Sequence, residues 1–164
     1  MTWTAPKTDW STGELITADD MNAIGENLAS LRGVSTAESY TTTADISISS
    51  NIPEFIDIDS DNLNLSLTTS GGDVLVHFDG TLNVGDAQFV YLDVEVDGTR
   101  LGGANGILSH QMVRVSGVAY ADNIVSFTRL IQNLSAGSHT FKFQWKSSFR
   151  FSMRAGAHYW VREL

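Results

Sequence analysis

Strict alternation of apolar and polar residues marks the stretch Val90-Tyr91-Leu92-Asp93-Val94-Glu95-Val96-Asp97-Gly98. An apolar residue stands at every second position from 90 to 96, which is the pattern of a strand with one buried face. The stretch ends in Asp97-Gly98, a pair that favours a type I′ turn because both central positions of that turn need positive φ. The stretch therefore predicts an antiparallel hairpin, and it sets the period that most of the chain follows.

The same period of two continues through most of the chain after Gly33. Runs bounded by turn residues predict further strands at residues 63–67, 74–78, 113–115, 124–131, 141–145 and 158–164, with weaker ones near 46–48 and 55–58. About eight to ten strands at such spacing are typical of a β-sandwich or a barrel. The glycine-rich segment 102–106 lies between strands and precedes no helix, so it is not expected to bind phosphate.

One segment, residues 17–33, has helical rather than strand character. Thr17 is a good N-cap and Gly33 is a good C-terminal stop, so both ends of a helix are marked. Its apolar residues are spaced three, four and three apart, which is the narrow stripe of a coiled-coil seam. We predict that this stripe is an oligomer interface formed by Met21, Ile24, Leu28 and Leu31. A short helix packed on the following domain is the alternative that the spacing leaves open.

The segment before the helix carries no helical period and contains Trp3 and Trp10. Two large aromatic side chains in a segment too short to form a core need another surface to cover them. We predict that residues 1–16 are an extended docking arm, residues 17–33 an oligomerisation helix and residues 34–164 a β-sandwich head domain. An arm folded back on its own domain is the alternative.

Composition limits the classes of function. The chain has 164 residues, no cysteine and a formal net charge of −9. Residues 1–100 hold 3 Lys or Arg against 17 Asp or Glu, whereas residues 101–164 hold 7 against 2. The acidic excess argues against nucleic acid as a partner, because phosphate neutralisation needs a basic face. The basic C-terminal part is expected to face the acidic part, within one chain or between chains.

Neither a secretion signal nor a membrane-spanning run is recognised, so neither export nor membrane insertion is expected. Without cysteine, disulfides and thiolate metal sites are unavailable. The histidines show no metal-ligand spacing and are scattered at His77, His110, His139 and His158. No nucleophile-elbow motif occurs either. We predict that the protein is not an enzyme and needs no cofactor.

A run of acidic residues is the one candidate for a metal. Asp57, Asp59 and Asp61 place carboxylates at alternate positions, as at the start of a calcium-binding loop. The glycine and the final glutamate of such a loop are replaced by Asn62 and Thr68. No metal site is therefore predicted, and the three Asp residues remain candidates for calcium.

At two places the chain resembles structural proteins of tailed bacteriophages and prophages. The first is Trp10 followed by Thr12-Gly13-Glu14-Leu15-Ile16-Thr17-Ala18, then by Met21-Asn22-Ala23-Ile24 and Asn27-Leu28. The second, residues 134–146, is similar to the late strands of their jelly-roll heads, which look like C1q and tumour-necrosis-factor (TNF) sandwiches. The resemblance implies a homotrimeric virion component whose N-terminal segment attaches to the particle. The docking residues would then be Trp3, Trp10, Leu15 and Ile16.

The sequence thus predicts a mainly β virion structural protein, in which a short N-terminal helix is followed by an antiparallel β-sandwich of the C1q/TNF-like jelly-roll type. Because the chain has almost no shaft, a compact tail-associated knob for receptor binding is expected rather than a long tail fibre. Expected partners are further copies of the chain in a trimer, other virion proteins and a host cell-surface glycan. The expected location is the virion, assembled in the host cytoplasm.

The sequence leaves two alternatives to this function open. One is a capsid or tail decoration protein that stabilises a particle. The other is a stand-alone carbohydrate-binding module. Sugar recognition needs exposed aromatic side chains beside polar groups, for which the candidates are Tyr120, Trp145 and Trp160. Of these, Trp145 alternates with Phe141 and Phe143 and is expected to lie in the core.

Overall fold

The computed structural model describes residues 17–19, 21–22, 24, 37–48, 51–84, 88–112 and 121–164. The chain divides into two compact units, Met1–Ser35 and Thr36–Leu164. In the first unit the Met21 backbone N–H donates to the Thr17 carbonyl at 3.1 Å, as in a first helical turn. The Met21 and Ile24 side chains are 56% and 41% exposed.

The rest of the predicted helix at 17–33 lies outside the described residues, so the helix remains a prediction. The same holds for the remaining seam and docking residues, which are Trp3, Trp10, Leu15, Ile16, Leu28 and Leu31.

The second unit is built from strands. Its described part contains the strands β1 (Ala37–Thr41), β2 (Ile46–Ile48), β3 (Ile52–Asp57), β4 (Asn64–Thr69), β5 (Gly72–Val84), β6 (Gln88–Val96), β7 (Thr99–Arg100), β8 (Leu108–Met112), β9 (Ala121–Leu134), β10 (Gly137–Ser147), β11 (Phe151–Met153) and β12 (His158–Glu163).

These strands form two antiparallel sheets. In sheet one, β5 pairs with β9 along one edge and with β12 and then β11 along the other. Strand β1 lies outside β12, and β2 lies outside β11. In sheet two, β10 and β6 pair at the centre. Strands β3 and β4 both pair with the edge of β10 that faces away from β6. Strands β7 and β8 both pair with the edge of β6 that faces away from β10.

The order of pairing identifies the topology. Four pairs of consecutive short strands can each be counted as one interrupted strand, which gives eight strands in all. These pairs are β1 with β2, β3 with β4, β7 with β8, and β11 with β12. The first of the eight strands pairs with the last, the second with the seventh, the third with the sixth and the fourth with the fifth. This nested pairing is that of a jelly roll. The predicted mainly β, antiparallel sandwich is confirmed.

The hairpin predicted at residues 90–98 is present as β6 and β7. Its apolar positions are all buried, as the alternation requires. Asp97 and Gly98 have φ values of 48° and 84°, which fits the type I′ turn expected of this pair. Local sequence therefore determines both the register and the turn of this hairpin.

Aromatic side chains from both sheets meet in the core. The ring of Phe143 lies 4.2 Å from that of Phe78 and 5.4 Å from that of Tyr159, measured between centroids. Burial raises the pKa of the Tyr159 hydroxyl. Trp145 is 2% exposed and packs edge-on against Phe151. The expectation that Trp145 lies in the core is confirmed, so it is not available to bind sugar.

Three short strands were not predicted, namely β1, β8 and β11, and β7 was predicted only as the second arm of the hairpin. Strand β1 has mostly exposed side chains and is held by backbone pairing with β12, so its sequence shows no apolar period. Strands β7 and β11 span only two and three residues, which is too short for a period to be seen. The strand predicted at 113–115 lies outside the described residues.

A buried histidine joins two turns at one end of sheet two. His139 Nδ1 lies 2.6 Å from Asp97 Oδ2, and His139 Nε2 lies 2.8 Å from the Ser135 carbonyl. Both partners are acceptors, so both ring nitrogens donate and the imidazolium form is favoured. The hydrogen bonds from Asp97 and then Ser135 raise the pKa of His139, and the bond with His139 lowers the pKa of Asp97.

This pair is expected to make the stability of the head depend on pH. The pair contributes fully to the free energy of unfolding at pH values between about 3.9 and 6.5, the unfolded-state pKa values of Asp and His. This contribution is lost as pH rises through the raised pKa of His139, and as pH falls through the lowered pKa of Asp97. Urea unfolding midpoints of the wild type and His139→Gln should therefore differ more near pH 6 than near pH 9. An equal difference at both pH values would contradict the assignment.

Candidate functional site

The two central strands of sheet two present a row of polar side chains on their outer surface, which we term the sheet-two face. The row results from the alternation of side chains along a strand, because the β10 residues that lie between the polar ones point into the core. Opposite one another in the register of β10 and β6 are Lys142 and Glu95, Gln144 and Asp93, and Lys146 and Tyr91.

A buried carboxylate fixes the loop that covers part of this face. Asp93 is fully buried, and its Oδ1 accepts from the backbone N–H groups of Val94 and Gly102 at 2.8 and 2.9 Å. Its Oδ2 accepts from Arg100 Nη1 at 3.1 Å. Burial raises the pKa of Asp93 despite these bonds. Asp93 thus holds the segment after β7 against the sheet.

Gly102 makes that close approach possible. A Cβ at this position would lie 2.2 Å from the Gly106 carbonyl carbon, so a larger residue would push the loop outward. The loop is also tied to β6 by two backbone bonds: Leu101 N–H donates to Val94, and Ile107 N–H donates to Leu92. The glycine-rich segment is thus a loop between strands, as expected, and its role is to cover Asp93.

Beside this loop lies an open depression of about 530 Å³, which we term the sheet-two depression. Its wall includes the backbone at Gly98 and Gly102. Its side chains come from β3, β6, β7 and β10, and they are Glu54, Phe55, Glu95, Thr99, Arg100 and Gln144. It thus combines an aromatic ring with polar groups of both charges, as ligand sites commonly do.

The aromatic ring in the depression is held by cations. The guanidinium carbon of Arg100 lies 4.3 Å from the centroid of the Phe55 ring, and Lys146 Nζ lies 4.8 Å from it. Lys146 also lies 4.8 Å from the Tyr91 ring and donates to the Ala104 carbonyl at 2.5 Å. These contacts link β3 to the loop and keep the ring in place.

A shared network occupies the other side of the depression. Lys142 Nζ lies 3.6 Å from Asp57 and 3.5 Å from Glu95, and these two carboxylates raise its pKa. Gln144 Nε2 donates to the same carboxylates at 2.8 and 3.1 Å. Its Oε1 is buried without a hydrogen-bond partner. Since the amide nitrogen is fixed by two acceptors, exchanging its two ends would place oxygen against carboxylate.

The calcium candidates do not form a shared site in this structure. Asp57 belongs to the network with Gln144, whereas Asp59 caps its own turn. Asp59 Oδ1 accepts from the backbone N–H groups of Asp61 and Asn62 at 3.0 and 3.1 Å. Among the residues that the structure describes, no three acidic or histidine side chains are grouped as metal ligands.

Two of the histidines flank one carboxylate on the outer surface of sheet one. His77 Nε2 lies 3.1 Å from Asp79, and His158 Nδ1 lies 3.7 Å from the same oxygen. His77 also hydrogen-bonds Thr128 at 2.8 Å and stacks on Trp160 with 5.1 Å between ring centroids. His77 is therefore a packed surface residue, and Trp160 is half-buried beneath this contact.

Apolar side chains lie on the same surface of sheet one. Ile124 and Leu130 of β9 are 82% and 41% exposed. In the register with β5, Ile124 lies opposite Thr81 and Leu130 lies opposite Leu75. Because opposite residues share a face of the sheet, these side chains all point to the outer surface of sheet one. Tyr120, the remaining aromatic candidate for sugar binding, lies outside the described residues.

Ion pairs within the chain join some residues of the basic part to carboxylates. Arg154 lies 2.9 Å from Asp45 and 3.3 Å from Asp122. Lys142 pairs with two carboxylates of the acidic part, as described above. Two residues of the basic part therefore face carboxylates of the acidic part within one chain, and contact between chains remains a prediction.

No helix in the described residues is long and apolar enough to span a membrane. The residues of the sheet-two depression were not predicted, because they come from four strands far apart in sequence. The alternation of β10 did place Lys142, Gln144 and Lys146 on one face. That alternation could not predict the loop that completes the wall of the depression.

No protein-family model matches the chain, and no curated protein matches it. Among solved structures, it is similar to the Eiger TNF of S. frugiperda, with 14% identity and a TM-score of 0.45 over 79% of this chain and 93% of that one. It is also similar to VP2 in a subviral particle of infectious bursal disease virus, with 13% identity and a TM-score of 0.44 over 79% of this chain and 33% of that one. A further structure, of the Gx strain of that virus, shows 11% identity and a TM-score of 0.46 over 77% and 31%. The chain thus spans about a third of these two viral chains, and its jelly-roll topology is established by its own strand pairing.

Proposed function

We propose that this protein is a non-enzymatic structural component of a tailed-bacteriophage particle. Three copies associate through the helix at 17–33, and the arm at 1–16 attaches them to other virion proteins. The C1q/TNF-like head faces outward and binds the host surface as a compact tail-associated knob. The resemblance of the N-terminal motif to phage structural proteins supports the particle assignment.

The observation that carries the binding role is the sheet-two depression. It lies on an open sheet face and combines Phe55 with the polar groups of Glu95, Arg100 and Gln144. In ligand pockets, aromatic rings give contact area and a few polar groups fix the orientation of the ligand. Phe55 and its polar neighbours would have these roles here.

Exposed apolar side chains support the oligomer. Met21 and Ile24 belong to the predicted seam and are exposed in the single chain. Burying such residues against further copies removes apolar area from water, at about 25 cal/mol per Å².

A decoration role is the second candidate, and the outer surface of sheet one favours it. Ile124 and Leu130 could contact a neighbouring particle protein instead of a second copy of this chain. The head would then brace the particle, and host cells would not bind it.

Two measurements separate these roles. Antibodies against the head are expected to label intact particles from a culture that carries this gene, at the tail in electron micrographs. Purified full-length protein is expected to bind host cells and to compete with the particles for adsorption. Labelling spread over the capsid, without cell binding, would support decoration. Particles that lack the chain would contradict both roles.

A further inference from the structure

We propose that the sheet-two depression binds a neutral saccharide, which donates hydroxyl hydrogen bonds to Glu54 and Glu95 and packs its C–H groups against Phe55. This inference rests on the proposed surface-binding role of the head. It adds the chemical class of the ligand, including the sign of its charge.

Hydrogen-bond acceptors are available in the depression. Glu54 is exposed and makes no hydrogen bond or ion pair within the described part of the chain. Glu95 accepts from Gln144 and lies near Lys142, but each carboxylate oxygen can accept more than one bond. Neighbouring hydroxyls of a sugar ring are donors that two such carboxylates can hold.

The cations beside the depression already have partners. Arg100 donates to the buried Asp93 and to the Gly103 carbonyl. Lys142 is shared between two carboxylates, and Lys146 donates to a backbone carbonyl. An anionic sugar would therefore meet the carboxylates of Glu54 and Glu95, while Arg100, the cation in the described wall of the depression, is already bound to Asp93. Like charges at such a site are repulsive, so a sialylated or sulfated ligand is disfavoured.

An unpaired acceptor in the wall also points to a ligand. Gln144 is 5% exposed, and its Oε1 has no partner. A buried acceptor without a donor is costly, so a donor from a water or a ligand would be favourable at this atom. A hydroxyl group, or a water brought with it, supplies the donor after a small shift of the Gln144 side chain.

The aromatic ring supplies the apolar part of the contact. Phe55 is half-buried, and its cation contacts fix the ring before any ligand arrives. Part of the Phe55 ring stays exposed in the depression beside the two cations. The C–H groups of a pyranose carry small positive charges and can pack against that part of the ring. A ring that is already fixed loses little conformational freedom on binding.

The open shape of the depression implies weak binding at each site. Three heads on one particle, and many contacts on a cell, would raise the overall affinity by multivalency. The assay therefore presents the sugar densely.

The test is a glycan array probed with the full-length protein. Neutral oligosaccharides built from glucose, galactose or mannose are expected to bind, and sialylated or sulfated glycans are not. Glu54→Gln and Phe55→Ala are each expected to weaken binding to the neutral glycans by about tenfold. Glu38→Gln and Phe149→Ala, exposed residues outside the depression, serve as matched controls and should leave binding unchanged. Circular-dichroism melting verifies that each variant folds.

Binding confined to anionic glycans would overturn the inference. So would neutral binding that survives both depression variants, since the sugar would then bind elsewhere. A protein that binds host cells but no glycan would reject the inference and leave the proposed function standing. Particles that lack the chain would reject the proposed function, whatever the array shows.

Discussion

The Asp93→Ala substitution is expected to lower the free energy of unfolding by about 3 kcal/mol and to open the sheet-two depression. Removing the carboxylate leaves the buried N–H group of Val94 and the half-buried N–H group of Gly102 without an acceptor. It also leaves the Arg100 guanidinium without its counter-ion. The loop after β7 then loses its main attachment to β6. Ligand binding should fail together with stability.

The neutral isostere Asp93→Asn sharpens this test. Burial already raises the pKa of Asp93, which means that its charge is costly where it lies. Asparagine keeps an oxygen for the two backbone donors but places an NH2 group against Arg100, so this variant should lose less stability than the alanine variant without matching the wild type. Urea unfolding measures both, with the exposed Glu38→Ala as control. Equal losses for Ala and Asn would show that the charge, rather than the acceptor, holds the loop.

The double substitution Ile24→Asp with Leu28→Asp is expected to dissociate the oligomer. Both residues lie in the predicted seam, and a carboxylate there would be unpaired in an apolar contact. Light scattering should then give the mass of a single chain, 17.9 kDa. The head should keep its melting transition, because its core is formed by the strands of the second unit.

A matched control adds the same charge outside the seam. Asn22→Asp with Ser30→Asp introduces two carboxylates on the side of the predicted helix that faces away from the seam. This variant should keep the mass of the wild type. If both double variants keep that mass, the stripe is not the interface; if both dissociate, added charge rather than seam packing is responsible.

The sheet architecture could be predicted where one strand face is buried. Residues 90–96 and 141–145 alternate because β6 and β10 lie at the centre of sheet two, where every inward side chain is buried. The Asp97-Gly98 turn was predicted because its backbone angles are specific to few residue types. Strand β1 escaped prediction because pairing with β12, and not burial, forms it.

The depression could not be predicted because its parts are joined only by the fold. Phe55, Arg100 and Gln144 lie on three strands, and no spacing in the sequence relates them. From the alternation of its strand, Asp93 is expected to face solvent. In the structure it is fully buried by the loop. A charged residue on such a strand, followed closely by a glycine-rich loop, is the signal that could have indicated a covered carboxylate.

The central claim is that copies of this chain associate through the narrow apolar stripe near its start. The most direct measurement is the molar mass of the full-length protein, by size-exclusion chromatography with light scattering at micromolar concentration. We expect three times the 17.9 kDa of one chain. A mass of 17.9 kDa would contradict the claim, and with it the trimeric virion knob.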